Sequence, residues 1–373
     1  MKKVLFYTDT PQIGGAELQM FLLAKFLNKE EFTPIIACSN YPELNNWCEN
    51  LRKEGIEVIR MEVKSKHDPK HLTLLKEIIK EKGINIIHAH VWNPASCRYS
   101  YFAAKALKIP LITTEHDPFK LSTVKRLFKK SVLPNVAKII AISTDNKAVL
   151  SELYPKEKDK IQVIHNGIDI TWWQSQLLRF TEDDRKRIKK NIFFAKEDTF
   201  IITCVAELHE RKGQKYLIAA ISKVAEKYPN IKLVLVGEGP ALEDLKKFVK
   251  NRKLEAHVTF TGRLNDIPQI LKSSNIFALP SRREGFGLVN LEAMLTPLPV
   301  VASRIGGIPD VVTEQTGILV QPENDDELAK AILILIEHPE ISEKLAEAGK
   351  WRVKDHFTAE KMAEEYEKAY REL

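Results

Sequence analysis

Two carboxylates, Glu284 and Glu292, are separated by seven residues, and the first is followed by a Gly-Phe-Gly sequence. The apolar pattern that carries Glu292 is typical of a helix and ends near Met294. Glycines before a helix let backbone N–H groups approach an anion, and the helix N-terminus favours negative charge there. The segment predicts a loop that holds a phosphate or a sugar, with one acid at the loop and the other about two helical turns further along.

The spacing of these two acids argues against a glycosidase pair. Eight positions along a helix separate them by roughly 12 Å, whereas glycoside hydrolases hold their acid and nucleophile about 5–9.5 Å apart. Glu284 and Glu292 are better suited to contact different parts of one long ligand. The alternative is a chance pair in a chain with 29% charged residues.

A further glycine loop follows this motif. A short β-branched strand at 299–302 runs into Gly306-Gly307 and another short helix. Residues 284–320 resemble the donor-binding region of retaining GT-B glycosyltransferases of the family 4 type (glycosyl transferases group 1), with their E-x7-E motif, and the resemblance covers nearly the whole chain. It implies transfer of a hexose-type sugar from a UDP- or GDP-sugar to an acceptor hydroxyl, with retention at the anomeric carbon.

The resemblance assigns roles to residues of the second half. Glu284 would hold the donor sugar hydroxyls with the backbone of Phe286 and Gly287, and Glu292 would hold the ribose hydroxyls. Lys212 would stabilise the negative charge that grows on the diphosphate as the glycosidic bond breaks. The other residues that the resemblance places along the donor are Arg211, Gly237, Gly239, Arg263, Leu264, Gly285, Leu288 and Val289.

The chain departs from the family pattern at the diphosphate. The family reads Val-Gly-Arg-Leu before its Lys-Gly, whereas Glu207 stands here in the place of that arginine. Arg211 is the candidate to replace the missing charge, and a solvated basic turn is the alternative. Leu242 stands where a dinucleotide fingerprint needs its third glycine, and the sequence contains no P-loop, so neither NAD nor ATP binding is predicted.

Candidate residues of the first half lie at strand ends. Gly14 and Gly15 open the first helix, where free N–H groups can meet a phosphate or an acceptor hydroxyl, and an ordinary turn is the alternative. A zinc site would need side chains such as those of His88, His90, His116 and Asp117. The resembled enzymes work without a bound metal, so the resemblance implies no metal and no cofactor, and it places His116 beside the donor sugar as a catalytic residue.

Short apolar strands alternate with amphipathic helical stretches from end to end, which is typical of parallel, doubly wound α/β sheets. Strands are predicted at 3–8, 34–39, 57–61, 84–90, 110–114, 138–142, 200–205, 231–236, 257–261, 275–279, 299–302 and 317–320. Helices are predicted at 15–29, 43–54, 70–82, 95–108, 143–153, 213–228, 240–252, 288–295, 325–337 and 341–354. The segment between 170 and 195, with its charged run Thr181–Lys190, fits neither sheet and divides the chain.

The resemblance implies the GT-B fold, in which two Rossmann-like domains face each other across a cleft. The acceptor domain would span 1–170 and be joined by the C-terminal helix 359–373, and the nucleotide-sugar donor domain would span 190–356. Two alternatives remain open: a nucleotide-sugar epimerase or hydrolase on the same fold, and a non-catalytic protein that binds nucleotide sugars.

Composition indicates a cytoplasmic protein. The sequence has no apolar run of the ~20 residues needed to span a membrane, and its first residues are interpreted as a buried strand rather than a signal peptide. The four scattered cysteines are predicted to be reduced thiols. The formal charge of +7 suits an anionic ligand or an anionic membrane face, and it is too modest to predict a nucleic-acid partner.

One basic segment suggests where the protein works. From Lys120 to Lys130 the sequence contains no acid. At helical spacing Leu121, Val124, Leu127 and Phe128 share a stripe flanked by Lys125, Arg126, Lys129 and Lys130. Such a helix can lie on anionic lipid, or its stripe can pack on the sheet with solvated lysines. The membrane hypothesis predicts peripheral contact with the inner membrane face through 120–130 and a lipid-linked or surface-glycan acceptor, in cell-surface polysaccharide or glycolipid synthesis.

Overall fold

The structure, a computed structural model, describes residues 1–119 and 121–373. These residues form two compact units: unit 1 comprises Met1–Gly167 with Ala359–Leu373, and unit 2 comprises Ile168–Thr358. In both units strands alternate with helices along the chain and pair in parallel, as the sequence pattern predicted. Helical crossovers cause this arrangement because they return the chain to the same end of the sheet before each new strand.

The sheet of unit 1 has the strand order β3-β2-β1-β4-β5-β6-β7. Its strands are β1 Lys2–Thr8, β2 Phe32–Ser39, β3 Glu57–Met61, β4 Ile86–Val91, β5 Leu111–Glu115, β6 Lys138–Ala141 and β7 Ile161–Val163. The helices are α1 Gly15–Phe26, α2 Asn45–Lys53, α3 Lys70–Lys82, α4 Arg98–Leu107, α5 Thr123–Val132, α6 Thr144–Leu153 and α16 Ala359–Arg371. The strand order reverses between β1 and β4, which is the place where doubly wound sheets bind ligands.

Both faces of this sheet are covered. Successive side chains of a strand point to opposite faces, so Leu5 and Tyr7 enter one hydrophobic cluster while Val4 and Phe6 enter another. Helix α16 contributes Tyr366 to the second cluster. This two-sided burial explains why the strands appear as continuous apolar runs in the sequence rather than as alternating patterns.

The sheet of unit 2 has the order β10-β9-β8-β11-β12-β13 and reverses between β8 and β11. Its strands are β8 Phe200–Val205, β9 Ile231–Val236, β10 Val258–Gly262, β11 Ile276–Leu279, β12 Val300–Ser303 and β13 Ile318–Val320. The helices are α7 Ile170–Leu178, α8 Glu182–Asn191, α9 Gln214–Lys227, α10 Leu242–Asn251, α11 Ile267–Lys272, α12 Leu288–Leu295, α13 Ile308–Val311, α14 Asp325–Glu337 and α15 Pro339–His356.

The segment between 170 and 195, whose sequence fits neither sheet, forms helices α7 and α8. Each begins at a capping side chain: Asp169 accepts from the Trp172 N–H at 2.8 Å, and Thr181 accepts from the Asp184 N–H at 3.2 Å. Trp173 is buried in unit 2, where its indole N–H donates to Thr296 at 3.0 Å. Capping and packing on the second unit therefore stabilise helices whose own apolar pattern is weak.

The basic helix predicted from 120 to 130 is α5, although Lys120 lies outside the described residues. The side chains of Val124 and Leu127 are 79% and 62% exposed, so this part of the stripe does not pack on the sheet. The prediction that Lys129 flanks the stripe on the surface is wrong. Its ammonium is buried, 2.7 Å from the Glu115 carboxylate, because the last turn of α5 reaches the end of β5. Within the described chain, no helix combines the length and apolarity that crossing a membrane requires.

Candidate active site

The loops that follow the strands of unit 2 interlock at the C-terminal edge of its sheet. Gly306, after β12, has φ of +56°, and a Cβ at this position would lie 1.9 Å from the Glu284 carbonyl oxygen, after β11. Gly213, after β8, approaches the Pro280 carbonyl in the same way, since a Cβ on this glycine would lie 2.0 Å from that oxygen. Only glycine permits these approaches, so three loops are held together where the sequence predicted the donor site.

The glycines at 237 and 239 join the same edge. The Gly237 N–H donates to the Gly262 carbonyl at 2.9 Å, and the Leu208 N–H donates to the Glu238 carbonyl at 2.9 Å. The loop after β9 is therefore hydrogen-bonded to the loop after β8 on one side and to the end of β10 on the other. Of the two residues after β10 that were predicted along the donor, Arg263 is exposed and Leu264 packs on a hydrophobic cluster that includes Ile188 of α8.

Lys212 and Glu284 meet across the point where the strand order reverses. The Lys212 Nζ lies 2.5 Å from the Glu284 Oε2, and the two side chains are 13% and 12% exposed. Ser281 donates to the same carboxylate oxygen at 3.2 Å. A cation and a carboxylate thus stand together beside the Gly285-Phe286-Gly287 turn and the start of α12, where N–H groups of the first turn have no carbonyl partner within the helix.

Helix α12 runs from Leu288 to Leu295, so the structure places Leu288 and Val289 in its first turn. Glu292 lies on this helix, one turn further along. Burial raises the pKa of its carboxyl group to about 7. Near neutral pH this side chain is therefore divided between its protonated and ionised forms, and a ligand that donates hydrogen bonds to it would favour the ionised form.

Arg211 pairs with Glu207, the acid that occupies the family arginine position. The Arg211 guanidinium lies 2.8 Å from the Glu207 carboxylate. The Arg211 carbonyl accepts from the Arg282 N–H at 2.8 Å, and the Arg282 guanidinium lies between Glu210 at 2.6 Å and Glu323 at 2.9 Å. Sequence reasoning did not single out Arg282, although its position two residues before Glu284 is a recognisable signal.

Three histidines of unit 1, His88, His90 and His116, lie in a row. His90 Nδ1 lies 3.2 Å from His116 Nε2, with ring centroids 5.3 Å apart. His88 is held by Tyr370 at 2.7 Å and Thr114 at 2.8 Å, as a packed core histidine would be. Burial lowers the pKa of His88 and of His116 to about 3, so both imidazoles are neutral at physiological pH. In the described parts of the chain, no three His, Cys, Asp or Glu side chains are grouped so as to hold a metal ion.

The predicted Gly14-Gly15 turn follows β1 and begins α1 at the C-terminal edge of the sheet of unit 1. The Glu17 carboxylate accepts from the Gly14 N–H and from Thr8, each at 3.0 Å, and burial raises its pKa. At the strand reversal, Asp9 accepts from the Trp92 indole at 3.0 Å. Sequence reasoning did not single out Asp9, although an acid directly after the first strand is a recognisable signal.

The comparisons with known proteins agree with this architecture. The family described as Glycosyltransferase Family 4 matches residues 13–172, and the family described as Glycosyl transferases group 1 matches residues 184–352. An uncharacterized glycosyltransferase of Haemophilus influenzae is 30% identical over 298 residues, which cover 78% of each chain. The Escherichia coli UDP-Gal:alpha-D-GlcNAc-diphosphoundecaprenol alpha-1,3-galactosyltransferase is 26% identical over 337 residues, covering 87% of this chain and 85% of that protein.

Among solved structures, Anabaena HepE in complex with UDP superposes with a TM-score of 0.85 at 22% identity, over the whole of both chains. Together with the two parallel sheets, this likeness defines a protein of the GT-B class and confirms the predicted fold. The chain belongs to the glycosyltransferases of the group 1, family 4 type.

Proposed function

We propose that this protein transfers a sugar from a nucleotide-sugar donor to an acceptor hydroxyl, with retention at the anomeric carbon. One observation carries the proposal: the Lys212 ammonium and the Glu284 carboxylate lie 2.5 Å apart beside the glycine turn that begins α12. Without a ligand the two charges neutralise each other. When the donor binds, its diphosphate takes the cation and its sugar hydroxyls donate to the carboxylate.

The remainder of unit 2 suits the nucleotide. Glu292 would accept hydrogen bonds from the ribose hydroxyls, and the loops at Gly237 and Gly262 would lie along the base and ribose. The E. coli relative is named for UDP-galactose and HepE was solved with UDP, which supports a UDP-sugar as the first donor to test. In unit 1 we assign His116 and the Gly14-Gly15 turn to recognition of the sugar and the acceptor.

The chemistry we propose is a front-face displacement. The bond between the anomeric carbon and the phosphate oxygen breaks as the acceptor oxygen forms its bond on the same face, and the leaving phosphate takes the acceptor proton. Lys212 and the first turn of α12 stabilise the charge that develops on the diphosphate. Because Glu284 is engaged by Lys212 and Ser281, its expected task is to hold hydroxyl groups rather than to attack the anomeric carbon.

The test is sugar transfer from a panel of UDP- and GDP-sugars, measured with and without glycan and lipid-linked acceptors. Removing a group that stabilises the transition state in a site from which water is excluded costs roughly 3–4 kcal/mol. Lys212→Ala and Glu284→Ala should therefore each lower kcat/KM by several hundredfold. Lys215→Ala, which removes an exposed lysine three residues further along, is the matched control.

Three results would overturn the assignment. Near-normal transfer by both Lys212→Ala and Glu284→Ala would show that these residues do not form the donor site. Nucleotide release or sugar isomerisation that is independent of any acceptor would identify a hydrolase or an epimerase. Binding of nucleotide sugars without turnover of any of them would identify a non-catalytic binding protein.

We propose further that the acceptor is lipid-linked and that α5 brings the protein to an anionic membrane. Val124 and Leu127 are exposed on this helix, and the cations that remain on its surface are Lys125, Arg126 and Lys130. Each basic side chain near an anionic surface contributes about 1 kcal/mol. The E. coli relative is named for an acceptor linked to diphosphoundecaprenol, which supports an acceptor of this class.

A further inference from the structure

A buried amide in helix α12 has no hydrogen-bond partner. The Asn290 side chain is 0% exposed, and neither its Oδ1 nor its Nδ2 has a partner among the residues that the structure describes. Buried side-chain amides are nearly always paired, since an unpaired one loses its hydrogen bonds to water without replacement. The other buried residues of this helix include Leu291, Ala293 and Met294, which are apolar. If packing alone determined the residue at position 290, an apolar side chain would be expected there as well.

The amide lies directly beneath the glycine turn of the donor site. Gly287 is the N-cap of α12 with φ of +81°, and a Cβ at this glycine would lie 2.6 Å from the Asn290 Nδ2. The Asn290 backbone N–H donates to the Gly287 carbonyl at 2.9 Å. Asn290 is therefore the third residue of the helix, from which a side chain can reach back to the N-cap N–H, and its Oδ1 makes no such bond here.

The other side of the same turn is tightly held. The Gly307 N–H donates to the Glu284 carbonyl at 3.2 Å, and Gly306 has no room for a side chain against that carbonyl. The end of the turn at Glu284 is thus fixed, while the end at Gly287 rests on an amide with unused hydrogen-bonding capacity. The Gly287 peptide is therefore the part of the turn that lies next to this amide.

We propose that Asn290 is a positioning residue for the donor, which draws the Gly285–Gly287 backbone into its ligand-bound conformation. This inference rests on the proposed function. When the donor occupies the turn, the Gly287 peptide turns towards Asn290, and the amide gains the hydrogen bonds that it lacks in the free protein. Because the amide is unpaired only in the free state, the hydrogen bonds that it gains in the bound state favour binding of the donor.

The test compares Asn290→Leu with wild type in two measurements: the Tm without ligand, and the Kd for UDP and for GDP. Leucine has a similar size and removes both polar atoms, so we expect a higher Tm and a Kd that rises about tenfold, which corresponds to one or two hydrogen bonds. Ser39→Ala is the matched control, because it removes another buried unpaired side-chain oxygen in unit 1. It should raise Tm and leave Kd unchanged.

A second measurement needs no variant. Hydrogen exchange on wild-type protein should show added protection of the amides from 285 to 290 when UDP or GDP binds. An unchanged Kd for Asn290→Leu, a Tm below wild type, or no added protection would each overturn the inference while leaving the glycosyltransferase intact. Failure of wild type to bind either nucleotide would instead overturn the proposed function, and the inference with it.

Discussion

At the scale of single residues, the proposed contact of Glu292 with the ribose predicts that nucleotide binding depends on pH. Burial raises the pKa of its carboxyl to about 7, and the ionised form is the stronger partner for ribose hydroxyls because both of its oxygens accept hydrogen bonds. Affinity for UDP or GDP should therefore rise as pH increases from 6 to 8, by up to about tenfold per pH unit below the pKa, and level off above it. Calorimetry in buffers of different ionisation enthalpy should show a proton released on binding.

The same pKa shift predicts that the stability of the free protein falls as pH rises, whereas its affinity for nucleotide increases. The folded state holds the Glu292 proton more tightly than the unfolded chain, whose pKa is near the ordinary value of 4.5. The contribution of this group to stability is therefore present below pH 4.5 and is lost as pH rises towards 7. Glu292→Gln should remove both trends, and a wild-type Kd that is the same at pH 6 and pH 8 would refute the assignment to the ribose.

Arg211 and Glu207 allow a test by exchange of charge. Arg211 lies 2.8 Å from Glu207, which stands where the family has its arginine. Arg211→Ala should lower kcat/KM by about tenfold to a hundredfold, because one cation near the diphosphate is lost and the Glu207 carboxylate is left unpaired. Adding Glu207→Arg to that variant should restore much of the loss, since it returns a cation to the family position. If the double variant is no better than Arg211→Ala, the two positions do not serve the same phosphate.

At the scale of helices and strands, the predictions succeeded where a segment has a strong apolar pattern. Strands β8 and β9 and helices α12 and α14 have the predicted bounds. Strand β7, with three residues, and α8, with its many charges, were missed because their formation depends on neighbours in the fold. The motif identified Glu284 and Glu292 by type and spacing, but the pairing of Arg282 and the unpaired amide of Asn290 arise only from tertiary contacts.

Helix α5 is the element through which we expect the protein to reach its acceptor. Wild-type protein should cosediment with anionic vesicles at low salt and not with neutral ones, because the exposed Val124 and Leu127 enter the interface while the cations attract the surface. Replacing both with aspartate should abolish this binding. Leu178→Asp, at an 87% exposed leucine in unit 2, is the matched control and should bind as wild type does. Equal, negligible binding of wild type to both kinds of vesicle would make a soluble acceptor the better hypothesis.

At the scale of the whole molecule, the two ends of the chain stabilise unit 1 together. Lys2 donates to the Tyr370 carbonyl at 3.0 Å, and the Asn28 N–H donates to Glu367 at 2.7 Å. Tyr366 also bonds to Thr114 at 2.9 Å, one residue before the end of β5. Helix α16 thereby contacts β4 and β5, the strands that position His90 and His116, so the histidine row depends on residues separated by more than half the sequence.

The charge balance of the whole molecule leads to a prediction about metal ions. The chain carries a formal charge of +7, and at the predicted diphosphate position Lys212, Arg211 and the start of α12 supply positive charge from the protein itself. Transfer should therefore persist in excess EDTA at the rate seen without it, because the charge of the leaving group is met without a divalent ion. The assay compares initial rates with EDTA, without additive, and with EDTA followed by excess Mg²⁺ or Mn²⁺. Complete loss of transfer, restored by one of these ions, would mean that protein cations alone do not stabilise the diphosphate, and would redirect attention to His88, His90, His116 and Asp117.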